Sequence, residues 1–406
     1  IMNVLFLTLL DFNSIDEHNI YTDLLRKFYQ EGHSVYVVSP VERKNNQKTH
    51  YIKCDNHVGI LKLKIGNIQK TNIIEKGIST VTLEQKFIQG IKKYYSDIKF
   101  DLILYSTPPI TLQKAVKYVK TRDNATTYLM LKDIFPQNAV DMGMLSKHGL
   151  KGILYKYFRL KEKALYRDSD YIGCMSRANV DYVLKHNPEV ERNKVEICPN
   201  CIEVSSQVKK LDSKEIAKLK KKYGIPQGKK IFVYGGNLGR PQGIGFIIEC
   251  IKRIEHEKGI YIIIIGSGTE YARLEEAIQK KSLKNTKLYA ALPKEDYDAF
   301  LQLCDVGLIF LDFRFTIPNF PSRLLAYMDK QLPVMAIVDD VTDVGKVIED
   351  GGFGWSCQSK NVEDVIETFV KIANEKELSI YGQRALLFLQ DNYSVDVAYS
   401  AIMKHF

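Results

Sequence analysis

The N-terminal run MNVLFLTLL is apolar almost without a break, which predicts a strand buried on both faces. The polar loop DFNSID and a helix from about His18 to Gln30 follow, and EGHSVYVVSP then supplies a turn and a second strand. The chain therefore opens β-α-β with a parallel pairing. Beyond a lysine- and asparagine-rich stretch, a helix around Leu83 to Tyr95 leads to the strand DLILYSTPP. TTYLMLKDIFPQNAV adds another strand, whose far end carries Lys132, Asp133 and Pro136. YIGCMSRANVDYVL repeats the strand-to-helix pattern, and VEICPNCIEV closes this half. From Ser205 to Gly228 the chain is lysine-rich with few large apolar residues, which reads as a linker. After it come three more strand–turn–helix units: IFVYGGNLGRPQG, with a helix beginning at Gly245, then YIIIIGSGTEYARLEEAI and VGLIFLDFRFTIPNFPSRLLAYM. The pattern predicts an α/β protein of two similar halves, each a Rossmann-like, doubly wound parallel sheet, facing a central cleft. The halves divide as residues 1–204 and 205–385.

Composition agrees with two cores, since one domain takes roughly 100 to 200 residues and the chain has 406, of which 45% are hydrophobic. No stretch reaches the roughly 20 apolar residues that span a bilayer, and the first apolar run meets Asp11 rather than a cleavage site. The seven cysteines are odd in number and sit mostly in apolar runs, which argues against a disulfide framework and for the cytoplasm. The formal charge of +10 is unevenly spread. Between Lys147 and Arg167 seven lysines and arginines face only Glu162, while Leu150, Ile153, Leu154, Tyr157, Phe158, Leu160 and Leu165 return at helical spacing. Such a helix can lie on an anionic membrane surface with Lys151, Lys156 and Lys163 toward it, or pack a core stripe beneath a solvated basic face. No DNA or RNA module accompanies the charge, so nucleic acid is not expected as a partner.

The candidate chemistry collects at strand ends. Between Ile231 and Gly243 an apolar strand breaks into glycines and Arg240, which aims freed N–H groups and a cation at one point, as a diphosphate requires. Gly266-Ser267-Gly268 is a second such turn. At the third, Pro321 precedes Ser322 and Arg323, a plausible N-cap and a cation beside the positive end of a helix dipole. In the first half, ligands should collect at the carboxyl ends of the strands. Ser106, Thr107 and Pro108, together with Lys132, Asp133 and the loop Asp11 to Asp16 with Asn13 and Ser14, are expected on one wall. Asp168-Ser169-Asp170 and Cys198-Pro199-Asn200-Cys201 resemble metal motifs, but the first precedes a strand where a surface turn belongs and the second lacks further ligands. His18, near a helix start, reads as a surface residue.

The order of VYGGNLGRPQG, IIIIGSGTE, YAALPKEDYDAFLQLCDVGLIFL and FPSRLLAYMDKQLPVMA resembles the C-terminal half of family 4 retaining glycosyltransferases of the GT-B type. LKDIFPQNAVDMGML and ICPN resemble the N-terminal half of members that build capsule or O-antigen repeat units. The resemblance implies that the C-terminal domain holds a sugar nucleotide, that the N-terminal domain offers the acceptor, and that Leu386 to Phe406 crosses back to the first domain. It places donor contacts at Asn237, Leu238, Gly239, Arg240, Gly243, Gly268, Leu292, Pro293, Asn319, Pro321, Ser322 and Arg323, with Leu292 and Pro293 bordering the base. The chain also departs from the family. Pro318 and Ala326 stand where many members carry two glutamates, and Asn237 and Gln242 replace a common arginine and lysine of the phosphate turn. Arg240 and Arg323 are left as the available cations, with Asp312 or Asn319 as substitutes for a sugar-binding glutamate.

Transfer from a sugar nucleotide builds negative charge on the departing diphosphate, and preorganised donors aimed at that charge raise the rate. Arg323, Arg240 and the main chain of Gly239 and Ser322 would do this with no cofactor and no metal. Asp133 is the candidate general base; its alternative role is to cap the turn IFPQN. The expectation is a cytoplasmic transferase, peripherally bound to the inner face of the cell membrane. It would move an N-acetylated hexosamine or deoxyhexosamine from a UDP-sugar to a polyprenyl-diphosphate-linked saccharide in surface polysaccharide biosynthesis. Two alternatives are a non-catalytic sugar-nucleotide-binding protein of the same fold and a nucleotide-sugar epimerase on that scaffold.

Overall fold

A computed structural model describes residues 1–68, 73–204 and 210–406. The chain divides into two compact units, Ile1–Glu203 with Val395–Phe406, and Val204–Ser394. Part of the linker reading, residues 205–209, lies outside the described residues; the rest of it contains a helix, Ser213–Lys222, capped by Asp212.

In unit 1 the strands are β1 (Asn3–Leu7), β2 (Ser34–Glu42), β3 (His50–Lys53), β4 (Val58–Ile65), β5 (Leu102–Ser106), β6 (Thr126–Leu131), β7 (Tyr171–Cys174) and β8 (Val195–Ile197). Its helices before the linker are α1 (Ile20–Gln30), α2 (Ile73–Tyr94), α3 (Gln113–Asp123), α4 (Gln137–Asp141), α5 (Gly149–Asp168) and α6 (Arg177–His186). The sheet order is β3-β4-β2-β1-β5-β6-β7-β8, parallel throughout except for the β3–β4 hairpin. That hairpin falls in the lysine- and asparagine-rich stretch, where alternation is too weak to announce a strand. Strand order reverses between β1 and β5, so the loops leaving their carboxyl ends flank the crevice where ligands bind in open sheets. The interior strands read as continuous apolar runs because helices cover both faces: Val4 to Leu7 and Leu102 to Leu104 are fully buried.

Unit 2 contains α7 (Ser213–Lys222), β9 (Lys230–Asn237), α8 (Ile244–Ile254), β10 (Ile260–Ser267), α9 (Tyr271–Lys280), β11 (Thr286–Ala290), α10 (Lys294–Leu301) and β12 (Val306–Phe310). It continues with α11 (Arg323–Asp329), β13 (Val334–Val338), α12 (Val344–Asp350), β14 (Gly354–Gln358), α13 (Val362–Ala373) and α14 (Leu378–Asn392). All six strands are parallel in the order β11-β10-β9-β12-β13-β14, with the reversal between β9 and β12. Two Rossmann-like parallel sheets of this kind are the GT-B fold.

The C-terminal segment read as one crossing helix is two. α14 ends at Asn392 and packs in unit 2, whereas α15 (Val395–Met403) belongs to unit 1. Buried Val395, Ala398 and Ile402 join the unit 1 core, and the Tyr399 ring meets Phe28 at 4.9 Å. The break falls at Tyr393 and Ser394, because the apolar stripe of α14 and that of α15 serve different cores.

Candidate active site

In unit 2 the site is built mainly from main chain. β9 leaves the sheet through Gly235 and Gly236, and Gly236 adopts φ +142°, a conformation open to glycine. A Cβ there would lie 2.4 Å from Arg323 Nη1, so the missing side chain makes room for that guanidinium. Arg323 donates from Nη1 to the Gly235 carbonyl at 3.2 Å and sits over the Tyr234 ring at 4.6 Å, while its buried Nε has no partner. The cation is thus fixed at the switch point with donor capacity to spare. Arg240, in the next turn, is exposed.

The main-chain donors of this turn differ from expectation. The N–H of Gly239 donates to Gln242 Oε1 at 2.9 Å, and that of Leu238 donates to the Ser267 carbonyl at 2.9 Å. Both are occupied, and the Leu238 side chain is buried in the core. Gln242, which replaces a lysine of the family pattern, closes the turn on itself; its Oε1 also accepts from Asn237 Nδ2 at 3.3 Å. The open N–H groups lie one step on, at the start of α8 after Gly243, whose φ of +69° turns the chain into the helix. The turns of β9 and β10 are packed backbone on backbone: a Cβ on Gly268 would meet the Leu238 carbonyl oxygen at 2.3 Å.

The remaining donor candidates gather along the same sheet edge. Leu292 and Pro293 follow the carboxyl end of β11, and Pro293 starts α10. Pro321 and exposed Ser322 precede α11, but Ser322 makes no side-chain cap bond. Asn319 keeps a buried Nδ2 without a partner, leaving it free for a ligand hydroxyl. Asp312 is engaged by Arg314, with 2.9 Å contacts from the Arg314 main-chain N and from Nη2, which removes it as a free sugar ligand. Only the two-residue spacing of Asp312 and Arg314 hints at this pairing in the sequence.

Unit 1 builds its site from side chains. Asp133, just past β6, accepts a long hydrogen bond from Asn138 Nδ2 at 3.5 Å on Oδ2, while its enclosed Oδ1 has no partner. Burial pushes its pKa up to about 6, partly offset by hydrogen bonds from Thr107 and Asn138. The carboxylate does not cap α4, which begins after Pro136 without any side-chain cap. Lys132 is lowered in pKa by burial. Thr107, expected on the wall, is fully buried and plays another part: its Oγ1 accepts from the main-chain N–H of Lys132 (3.0 Å) and Asp133 (3.2 Å) and so fixes both residues. Ser106 is also buried and bonds Tyr21, a residue of α1 close enough to Asp133 to sense its charge. Pro108 is exposed beside them.

The loop from β1 to α1 is held by two buried cations that sequence reasoning passed over. Lys62 of β4, with no exposed surface, reaches the Asp11 carboxylate, the Phe12 carbonyl at 3.0 Å and Ser39 Oγ at 2.9 Å. Arg26 of α1 holds the carbonyls of Ile15 and Glu17, pairs with Asp23, and pairs with Glu203 at 3.1 Å. Within the loop, exposed Asn13 donates its N–H to Glu17 at 3.0 Å, and Ser14 Oγ accepts from the Asp16 N–H at 3.0 Å. His18, Asp23 and Glu203 are spaced for a metal ion, but Arg26 Nη2 already occupies their centre, 3.2 Å from His18 Nδ1. Asp168 and Asp170 are tied to Gln113, Lys120 and Thr127, so that motif pins strand edges together. Cys198 and Cys201 are free and buried, and burial raises the pKa of Cys201 to about 12.

α5 reverses the usual inside-out rule. Glu162 is buried against Arg159 and Tyr166, whereas Leu150, Ile153, Leu154, Tyr157 and Leu160 are exposed, Leu150 to 87%. The core-stripe reading therefore holds only for Leu165 and for Phe158, which meets Phe135 at 5.0 Å. Lys151, Lys156 and Lys163 are exposed on the same helix. Among the described residues, no helix is long and apolar enough to cross a membrane.

Comparison with known proteins bears on the fold and on unit 2. Residues 215–384, within unit 2, match the family model described as glycosyl transferases group 1. That match concerns unit 2, and the two-sheet fold is the one found in solved GT-B glycosyltransferase structures. Among relatives, the Pseudomonas aeruginosa protein named as glycosyltransferase WbjE is 25% identical over 338 residues, covering 82% of this chain and 80% of that one. The Escherichia coli K12 protein WcaI, named for colanic acid biosynthesis, is 26% identical over 209 residues, covering 52% of this chain and 49% of its own. The structure of Anabaena HepE with UDP and glucose superposes with a TM-score of 0.70 at 13% identity, covering 100% of this chain and 99% of the other.

Proposed function

We propose that this chain transfers a sugar, with retention, from a UDP donor held at the β9–β12 edge of unit 2 to a polyprenyl-diphosphate-linked saccharide bound at the β1–β5–β6 edge of unit 1. The observation that carries the reading is Arg323, a cation locked onto the Gly235 carbonyl and the Tyr234 ring with Nε unsatisfied. Such a group stabilises charge as it develops on a leaving diphosphate and needs no metal to do so. Asp133, with a pKa of about 6, can take the acceptor proton near neutrality. The UDP complex of HepE supports the donor, and the name of WcaI supports a place in surface polysaccharide assembly. The exposed stripe and lysines of α5 support peripheral attachment to the inner face of the cell membrane, with transfer on the cytoplasmic side.

A panel of UDP-, GDP- and dTDP-sugars tested by thermal shift identifies the donor, since a ligand at 100 times its Kd adds about 2.7 kcal/mol of stability. Incubation of the matching radiolabelled donor with bacterial membranes and EDTA should then move label into extractable lipid. Nucleotide binding without label transfer would leave a binding protein, and a new nucleotide sugar formed without membranes would indicate an epimerase.

A further inference from the structure

Asp133 has a neighbour of matched chemistry. Asn138, in the first turn of α4, directs its amide at the same carboxylate, with Nδ2 donating to Asp133 Oδ2 at 3.5 Å. The main chain of Asn138 is fixed on both sides. Its N–H donates to the Ile134 carbonyl at 3.0 Å, and its carbonyl accepts from the Met142 N–H at 3.1 Å. The second oxygen of each partner, Asp133 Oδ1 and Asn138 Oδ1, is enclosed with no hydrogen bond. Both are acceptors, so neither can serve the other while the carboxylate is ionised. Enclosed polar groups are rarely left idle, and what these two lack is a single donor hydrogen.

A proton on Asp133 supplies it. An amide and a carboxylic acid pair through two bonds at once, N–H to the acid carbonyl oxygen and acid O–H to the amide oxygen, and that arrangement answers both idle oxygens. During transfer the proton comes from the acceptor. Its hydroxyl oxygen bonds to the anomeric carbon, its proton passes to Asp133 Oδ1, and the electron pair between that carbon and the donor phosphate leaves with UDP. An acid held by two hydrogen bonds keeps the proton it has taken, which makes the carboxylate a stronger base, and proton-transfer rates follow base strength. An amide that only donated to the carboxylate would do the reverse, since a bond to the ionised form weakens the base.

We infer that Asn138 is the positioning residue of this base: its Nδ2 holds the ionised carboxylate at Oδ2, and its Oδ1 receives the acid hydrogen once the acceptor has released its proton. The inference rests on Asp133 as the general base, and the experiment separates the two. The side-chain carbonyl carbon of Asn138, labelled with 13C in the full chain and assigned by its loss in Asn138→Leu, responds to a hydrogen bond accepted at its own oxygen. Its resonance should move as the pH falls from 7 to 5, with a midpoint of about 6, where Asp133 takes up a proton. Tyr21 of α1 and Glu162 of α5 also face Asp133, and Lys132 precedes it in the chain. Asp133→Asn leaves all three in place and should abolish the movement. Asn138→Leu, similar in volume and without polar atoms, should lower kcat for label transfer into membrane lipid about fivefold with UDP affinity kept. Asn138→Ala repeats that test with a smaller side chain. A resonance that stays fixed while kcat/KM of the unaltered chain still falls below pH 6 overturns the pairing and leaves Asp133 as the base. A level or higher kcat in both Asn138 variants overturns it as well. Label transfer at the unaltered rate by Asp133→Asn removes the base itself and overturns both readings.

Discussion

The two candidate edges are built from different materials. At the edge of unit 2, glycines bring turns within backbone contact, and a fixed cation, Arg323, is held by a carbonyl and a ring face. At the edge of unit 1, side chains dominate: Thr107 fixes Lys132 and Asp133, while Lys62 and Arg26 clamp the adjoining loop. A diphosphate has one shape, which main chain and a cation can match. Saccharide acceptors differ in every hydroxyl, and side chains can change one at a time without disturbing a turn.

If this contrast is sound, Arg323→Ala should abolish detectable transfer and weaken UDP binding by about 100-fold, the cost of removing a desolvated charge partner. Calorimetric titration with UDP checks it, and unchanged affinity would take Arg323 out of the site. Next in size, Asp133→Asn should lower kcat by about 10² to 10⁴ with UDP affinity intact, as expected for loss of a general base. In the unaltered protein, kcat/KM should fall tenfold per pH unit below about 6, where Asp133 becomes protonated and cannot accept a proton. A profile flat from pH 5 to 7 would assign the base elsewhere.

Gly236→Ala probes the backbone side of the comparison. The positive φ and the 2.4 Å approach to Arg323 should make it weaken UDP binding about tenfold, or about 1.4 kcal/mol, through displacement of the guanidinium. The smallest effect on transfer should come from Lys62→Met. It orphans the Phe12 carbonyl, takes one of several partners from Ser39 Oγ, and should lower stability by about 2 kcal/mol. It should also raise KM for membrane acceptor several-fold, with kcat and donor affinity held. An equal loss in kcat would mean that Lys62 serves the fold at large rather than the loop.

Much of the candidate site in unit 2 was legible because its signals are local. The breaks from apolar strand to glycine at Gly235 and Gly266 can be read within a few residues, as can Pro321-Ser322-Arg323. The occupied N–H of Gly239 was not legible, because it depends on where the Gln242 side chain folds back. The candidate site in unit 1 was only partly readable. Asp133 follows its strand directly, but Tyr21 reaches it from α1, and Lys62 lies 51 positions from Asp11. Periodicity likewise gave α5 an apolar stripe without saying whether core or solvent would receive it.

The sequence by itself determined the alternation of strands and helices, the two-sheet α/β architecture and the glycine turns at strand ends, since each follows from spacing and backbone preference over short distances. Only the tertiary structure decided that Arg323 lies on the Gly235 carbonyl, that Glu162 is inside while Leu150 is outside, and that the chain breaks at Tyr393 so that α15 joins the first core. Those outcomes depend on which surfaces meet across tens to hundreds of residues, and pairings at that range are fixed by packing and charge neutralisation in the folded state, which local preference does not encode.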